Sequence, residues 1–265
     1  MRRLLYLLIV AVATLCSCEK ELNFDYHTID PLLVIEGNMT LSDASVRLTL
    51  TTPMNEPMDS VTLTDARVTI TDVIAGEEME LLPDSVGIYR IGRGGAPGRE
   101  YRLTVVRGGN RYVSSCRMGV QSEITAIEME WVKMPYDRVA LLKVEFRDDT
   151  TRRGDAYWLR VYRNGEPYRW VVTDDRAADS GRISVVQMTT RRDTTEEDED
   201  DILRPGDVLT ASVASVDSLL RLYLDALTLG GSNGPALFSG APAVGYFLAS
   251  PIVTDTFVFY PDSIR

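Results

Sequence analysis

Several groups of residues in this chain have types and spacings that suit chemistry. Gly230-Gly231-Ser232-Asn233-Gly234 matches the Gly-x-Ser-x-Gly letters of a serine nucleophile. That chemistry needs a strand before the serine, a helix after it and a histidine to take the proton. Here a helical pattern precedes the run and a Gly/Pro-rich loop follows, and the only histidine is His27. No Gly-Lys-Ser/Thr follows the glycines, so the run is not a phosphate cradle either. Asp193 to Asp201 holds seven acidic residues. Calcium sites ask for oxygen ligands at defined steps with a glycine at the bend. The run has neither, and charge this dense reads as a solvated loop. Trp158, Tyr162, Tyr168 and Trp170 fall where they can share one sheet face. Aromatic rings in that arrangement bind sugars or peptides, or pair across strands in a core. Apart from His27 the chain lacks the commonest acid–base group and metal ligand. A Ser-His-Asp triad and a zinc site are therefore not expected, nor is any cofactor, and the chain reads as a non-enzyme. Paired carboxylates, which need a separation of about 5–10 Å, remain the one hydrolytic arrangement the composition permits.

Cys18 belongs to a different pattern. Met1-Arg2-Arg3 is followed by an apolar run from Leu4 to Leu15 and then by Cys16-Ser17-Cys18. A basic start, a short apolar core and small residues before a cut site make a secretory signal. The run is about 12 residues long, short of the roughly 20 that cross a bilayer. The Leu15-x-x-Cys18 ending resembles the lipobox of bacterial lipoproteins. That resemblance implies a signal peptide over 1–17, lipidation of Cys18 as the first mature residue and attachment to a membrane by its acyl chains. Two or more chains anchor a protein stably, at about 0.8 kcal/mol per buried methylene. Residues 18–30 read as a polar tether. Glu19, Glu21 and Asp25, close behind the cysteine, resemble a surface-export signal.

These groups need a body to position them. The chain has 265 residues, 45% of them hydrophobic, which suits a packed body of one large or two ordinary domains. Thirty-nine acidic against 28 basic residues give a formal charge of −11, which repels phosphate backbones, so nucleic acid is not an expected partner. With Cys16 removed and Cys18 acylated, Cys116 has no disulfide partner and reads as a buried, inert thiol.

From Pro31 to about Val120 the pattern has period two. Val46, Leu48 and Leu50 alternate with Arg47 and Thr49, as do Val68 and Ile70 with Arg67, Thr69 and Thr71, and Tyr101, Leu103 and Val105 with Arg102 and Thr104. Short half-buried strands separated by turns predict an immunoglobulin- or transthyretin-like β-sandwich over 31–121. Residues 122–265 predict a second, sandwich-like β domain. Within it, Asn164-Gly165 between two aromatic, β-branched runs predicts a two-residue hairpin. Ser215 is the expected cap of a helix at about 216–229, with Leu219, Leu222, Tyr223, Ala226 and Leu227 on its buried face.

The lipobox, Cys18-Glu19-Lys20-Glu21, Leu33-Val34-Ile35-Glu36-Gly37, the stretch from Asp65 to Asp72, Pro97-Gly98-x-x-Tyr101-x-Leu103 and Gly245-Tyr246-Phe247 occur in that order. Together they resemble the Bacteroidota outer-membrane lipoprotein family catalogued as domain of unknown function 4249. The resemblance spans essentially the whole mature chain and brings no catalytic residues. It implies a lipid-anchored, surface-exposed protein at the outer membrane that partners a TonB-dependent β-barrel transporter in nutrient uptake. A structural, adhesin-like envelope protein is the alternative.

Overall fold

The alternating segments form strands whose apolar side chains line two cores. The computed structural model describes residues 30–52, 62–135, 138–151, 154–191, 202–230 and 234–264. His27, Cys18, Ser232 and the acidic run 193–201 lie outside them. Sixteen strands are present among the described residues. The first seven are β1 (Leu33–Met39), β2 (Ala44–Leu50), β3 (Arg67–Asp72), β4 (Glu77–Pro83), β5 (Tyr89–Ile91), β6 (Glu100–Arg107) and β7 (Asn110–Arg117). Next come β8 (Ile124–Lys133), β9 (Arg138–Arg147), β10 (Ala156–Arg163), β11 (Glu166–Asp174), β12 (Arg182–Arg191) and β13 (Val208–Val216). Helix α1 (Ser218–Thr228), β14 (Ser239–Gly240), β15 (Ala243–Ala249) and β16 (Ile252–Val258) complete the chain.

The protein is mainly β. Its first half is a β-sandwich made from one nine-stranded sheet, ordered β14-β7-β6-β3-β4-β5-β2-β1-β15. The sheet turns a corner at β4, which pairs with β3 up to Leu81 and with β5 through Leu82 and Pro83. The two arms close on Ile35, Val46 and Leu48 from one side and Val68, Ile70, Leu103 and Val105 from the other, all buried. Each such side chain, once taken out of water, contributes about 1.5–3 kcal/mol. The second half faces a four-stranded sheet, β11-β10-β13-β16, with a three-stranded one, β12-β9-β8. Leu142, Val144 and Phe146 of β9 meet Leu159 of β10 and Leu209, Ala211 and Val213 of β13 in its core.

The expected division at 121/122 is not how the chain is built. Ser239–Gly240 and Ala243–Ala249 leave the second half and join the first sheet, β14 beside β7 and β15 parallel to β1. An unpaired outer edge of β1 would leave a row of backbone donors and acceptors open, and β15 covers it. Phe238, Phe247 and Ala249 also fill the first core. Ser250-Pro251 then leads directly into β16 of the second sheet, so residues 31–265 form one body.

The helix begins later than expected, at Ser218, because Asp217 is its cap: the carboxylate accepts from Leu220 N–H at 2.7 Å. Ser215 is still in β13, and its N–H donates to Ser250 Oγ at 3.0 Å. The buried face is also rotated. Leu220 and Leu224 are buried, whereas Leu219, Leu222 and Leu227 are exposed. Leucines line both sides of this helix, so the i, i+3, i+4 template fits two overlapping stripes. The stripe that packs is the one that meets Trp158, Ala214 and Leu248.

Cys116 is buried, and its sulfur accepts a hydrogen bond from Ala249 N–H at 3.3 Å. Burial pushes the thiol up to about 12, far from the thiolate that reacts. A thiol-reactive dye at pH 8 is expected to leave Cys116 unlabelled in the folded protein and to label it on unfolding in urea. Labelling of the folded chain at the rate of free cysteine would overturn this.

Candidate functional site

Asn164 and Gly165 adopt positive φ, 52° and 92°, and turn β10 back into β11 as the sequence predicts. Two-residue turns of this twist need left-handed backbone at both positions. The hairpin is clamped from below by Asp207. Asn164 Nδ2 and Arg163 Nε donate to its two carboxylate oxygens at 2.7 and 2.8 Å, and Arg204 N–H donates at 2.7 Å. Burial works against the Asp207 charge, but these hydrogen bonds and the Arg163 guanidinium outweigh it and hold the carboxyl below its usual range.

On β10 the side chains alternate. Tyr157, Leu159 and Val161 point into the second core. Trp158, Arg160 and Tyr162 occupy the opposite face. Trp170 pairs with Arg160 across the hairpin. This face, helix α1 and the β1–β15 edge of the first sandwich enclose a cleft of about 450 Å³. All four aromatic residues singled out in the sequence line it, but in different ways. Trp170 is 40% exposed and offers a ring to solvent, while Trp158 is 8% exposed and forms the back wall. Tyr168 departs from the expected common face. A register shift at Val161/Tyr162 leaves it opposite no residue of β10, and it packs against the second core while its edge reaches the cleft. This is the two-against-one count of a β-bulge.

Trp158 organises the wall. Trp170 and Tyr246 stand edge-on to it, with ring centroids at 6.2 and 5.3 Å and interplanar angles of 81° and 85°. The Arg160 guanidinium carbon lies 4.6 Å from the Trp158 ring centroid, a cation–π contact. Tyr223 of α1 accepts from Gly245 N–H at 3.1 Å and ties the helix to β15. Glu36 of β1 pairs with Tyr246 across the parallel strands and lines the cleft from the first sandwich. Burial pushes the Tyr246 hydroxyl upward. A hydrogen bond from Asn38 Nδ2, at 3.4 Å, and the Arg160 charge act against that rise, and the Glu36 charge adds to it.

The polar atoms around Tyr246 are unusually short of partners. Among the described residues, Trp158 Nε1, Arg160 Nε and Asn38 Oδ1 are buried without a hydrogen bond. Buried polar groups are nearly always paired, and an unpaired one costs about 1–3 kcal/mol. Neither Arg160 nor Glu36 forms an ion pair with a described residue. The site thus joins aromatic faces, a guanidinium and a carboxylate that form no ion pair among the described residues, and an indole N–H without an acceptor. Glu36 is the one carboxylate in the lining, so the carboxylate pair of glycoside hydrolysis is not assembled here. Among the described residues no three acidic, histidine or cysteine side chains are placed to hold a metal ion.

Arg160 was within reach of sequence reasoning, since it sits between Trp158 and Tyr162 at the same parity. Glu36, Tyr223 and Tyr246 were not, because they reach the hairpin only through the long-range β1–β15 pairing.

Fold and site together define a double β-sandwich with an aromatic-lined cleft at the junction of its halves. The chain belongs to the family of the domain of unknown function DUF4249, whose model matches residues 19–224. No curated protein matches it. Among solved structures, a segment of two fibronectin type III domains from chicken tenascin is 16% identical. That match covers 87% of this chain and 100% of that one, with a TM-score of 0.25. Dimeric latent PorU from Porphyromonas gingivalis is 13% identical over 83% of this chain and 20% of that one, with a TM-score of 0.20.

Proposed function

We propose that this is a lipid-anchored, non-enzymatic binding protein of the outer membrane, attached through Cys18, that serves a TonB-dependent transporter as an accessory in nutrient uptake. Its ligand site is the cleft lined by Trp158, Tyr162, Tyr168 and Trp170. The observation that carries the binding role is the cleft itself, where aromatic faces surround donors that the fold leaves unpaired. The lipobox supports the anchor, and the family resemblance supports the location and the partner. The acidic residues Glu19, Glu21 and Asp25 behind Cys18 support display on the cell surface.

Two measurements test this reading. Growth with an alkyne-bearing fatty acid should label the wild-type chain and move it to the membrane fraction, while Cys18→Ala should lose both the label and the membrane. A Cys18→Ala chain still labelled and membrane-bound removes the anchor. The tagged full-length chain, extracted gently from native outer membranes, should bring down a β-barrel transporter at about one to one. Recovery of the lipoprotein alone, under conditions that keep known complexes whole, rejects the accessory role.

A further inference from the structure

We infer that the cleft takes a zwitterion, a free amino acid or short peptide whose carboxylate meets Arg160 and the Trp158 indole N–H and whose ammonium meets Glu36. The inference rests on the binding role proposed for the cleft and specifies its ligand. Arg160 and Glu36 sit on opposite walls, one on β10 of the second sandwich and the other on β1 of the first. Both line the same cleft, so a ligand seated there can meet both. Neither has an ionic partner among the described residues. The Arg160 guanidinium rests only on the Trp158 ring, and Glu36 has only Arg47 opposite it on β2 and no ion pair, so each half-buried charge is incompletely compensated. A ligand carrying one charge of each sign relieves both together. A neutral sugar relieves neither, and a sugar acid relieves only the guanidinium.

The unsatisfied nitrogens call for an acceptor. Trp158 is more than nine-tenths buried, and its Nε1–H lacks an acceptor. Arg160 Nε, beside the same indole ring, lacks one too. Each is an unsatisfied donor of a residue in the cleft wall, and a carboxylate is the acceptor that could serve them. Trp170 and Tyr162 then offer apolar faces to the side chain, and a volume of about 450 Å³ falls in the range of small-molecule sites, roughly 300–1,000 Å³.

The test uses the full-length chain in detergent and calorimetric or fluorescence titration with the twenty free amino acids and a mixed dipeptide library. At least one should bind, with quenching of tryptophan emission. For the best dipeptide, amidating its C-terminus or acetylating its N-terminus should each weaken binding by tenfold or more. Arg160→Gln should weaken the free dipeptide to the level of the amide and no longer distinguish the two. Glu36→Gln should do the same for the acetylated form. Arg160→Lys, which keeps the charge but not the fork, serves as a second variant, and unfolding curves confirm that each variant is folded. Neutral oligosaccharides and uronates are titrated alongside. Binding of a sugar that Trp170→Ala removes, with no amino acid or dipeptide bound, overturns the zwitterion and keeps the binding role. No Trp170-dependent binding of any class overturns both.

Discussion

Replacing Gly245 by alanine is expected to destabilise the protein by about 3–5 kcal/mol and to lower its melting temperature by roughly 10 °C. Gly245 has φ +107°, and a Cβ there would lie 2.1 Å from the carbonyl oxygen of Ile35. Ile35 is its partner in the parallel β1–β15 pairing, and its side chain is fully buried in the first core. The new methyl group meets rigid backbone, so either the two strands separate or β1 leaves its core. Gly76→Ala is the control. Its φ is also positive, at +67°, but nothing lies within 4 Å of the added Cβ, so only backbone strain of about 1–2 kcal/mol remains. Thermal unfolding of both variants decides the matter. Equal losses would mean that strain acts alone and that the close approach is not a constraint. Because Glu36 and Tyr246 flank this pair on the cleft side, Gly245→Ala should also weaken ligand binding at temperatures where the chain is still folded.

The importance of Gly245 shows what a single sequence reveals and what it hides. Local patterns were legible. Alternation at Val46, Leu48 and Leu50 and at Val68 and Ile70 describes half-buried strands, because a pleat has period two wherever one face is covered. Asn164-Gly165 announces its hairpin through backbone chemistry that few other dipeptides satisfy. Long-range assembly was not legible. Nothing in Gly245-Tyr246-Phe247 says that it pairs in parallel with Ile35-Glu36-Gly37 some 200 residues earlier, since a parallel partner is chosen by the whole fold rather than by a turn. The linear division at residue 121 fails for that reason, and the cleft takes residues from both sides of it. The aromatic set illustrates the same limit within a hairpin. Trp158, Tyr162 and Trp170 obey parity, whereas Tyr168 escapes it through a one-residue bulge that no composition rule signals. At the helix, amphipathicity is visible but its phase is not, because leucines flank the true buried stripe on both sides.

Removing the Asp207 carboxylate is expected to cost about 1–3 kcal/mol, since it takes the shared acceptor from three part-buried hydrogen bonds. Arg163 and Asp207 keep only 17% and 10% of their side-chain surface exposed, and their closest contact is 2.7 Å. Asn164 Nδ2 and Arg204 N–H depend on the same carboxylate. Asp207→Ala should therefore loosen the β10–β11 turn as well as β13, and the cleft face carried by that hairpin should lose rigidity. Acid provides an independent check. The folded carboxyl titrates below its unfolded value, near 3.9. Its stabilising contribution is then complete above about pH 5 and is lost as pH falls through the folded value. Urea unfolding of wild type and Asp207→Asn, which keeps the shape but cannot ionise, should show a gap that is constant from pH 7 to about pH 5. Below roughly pH 4 the gap should shrink, because protonation turns the wild-type group neutral as well. Asp72 and the other carboxylates held low by arginines titrate in both proteins and cancel in the difference. A gap that widens on acidification would mean that the folded state prefers the protonated acid, and that the hairpin clamp is a neutral hydrogen-bond network rather than an ionic one.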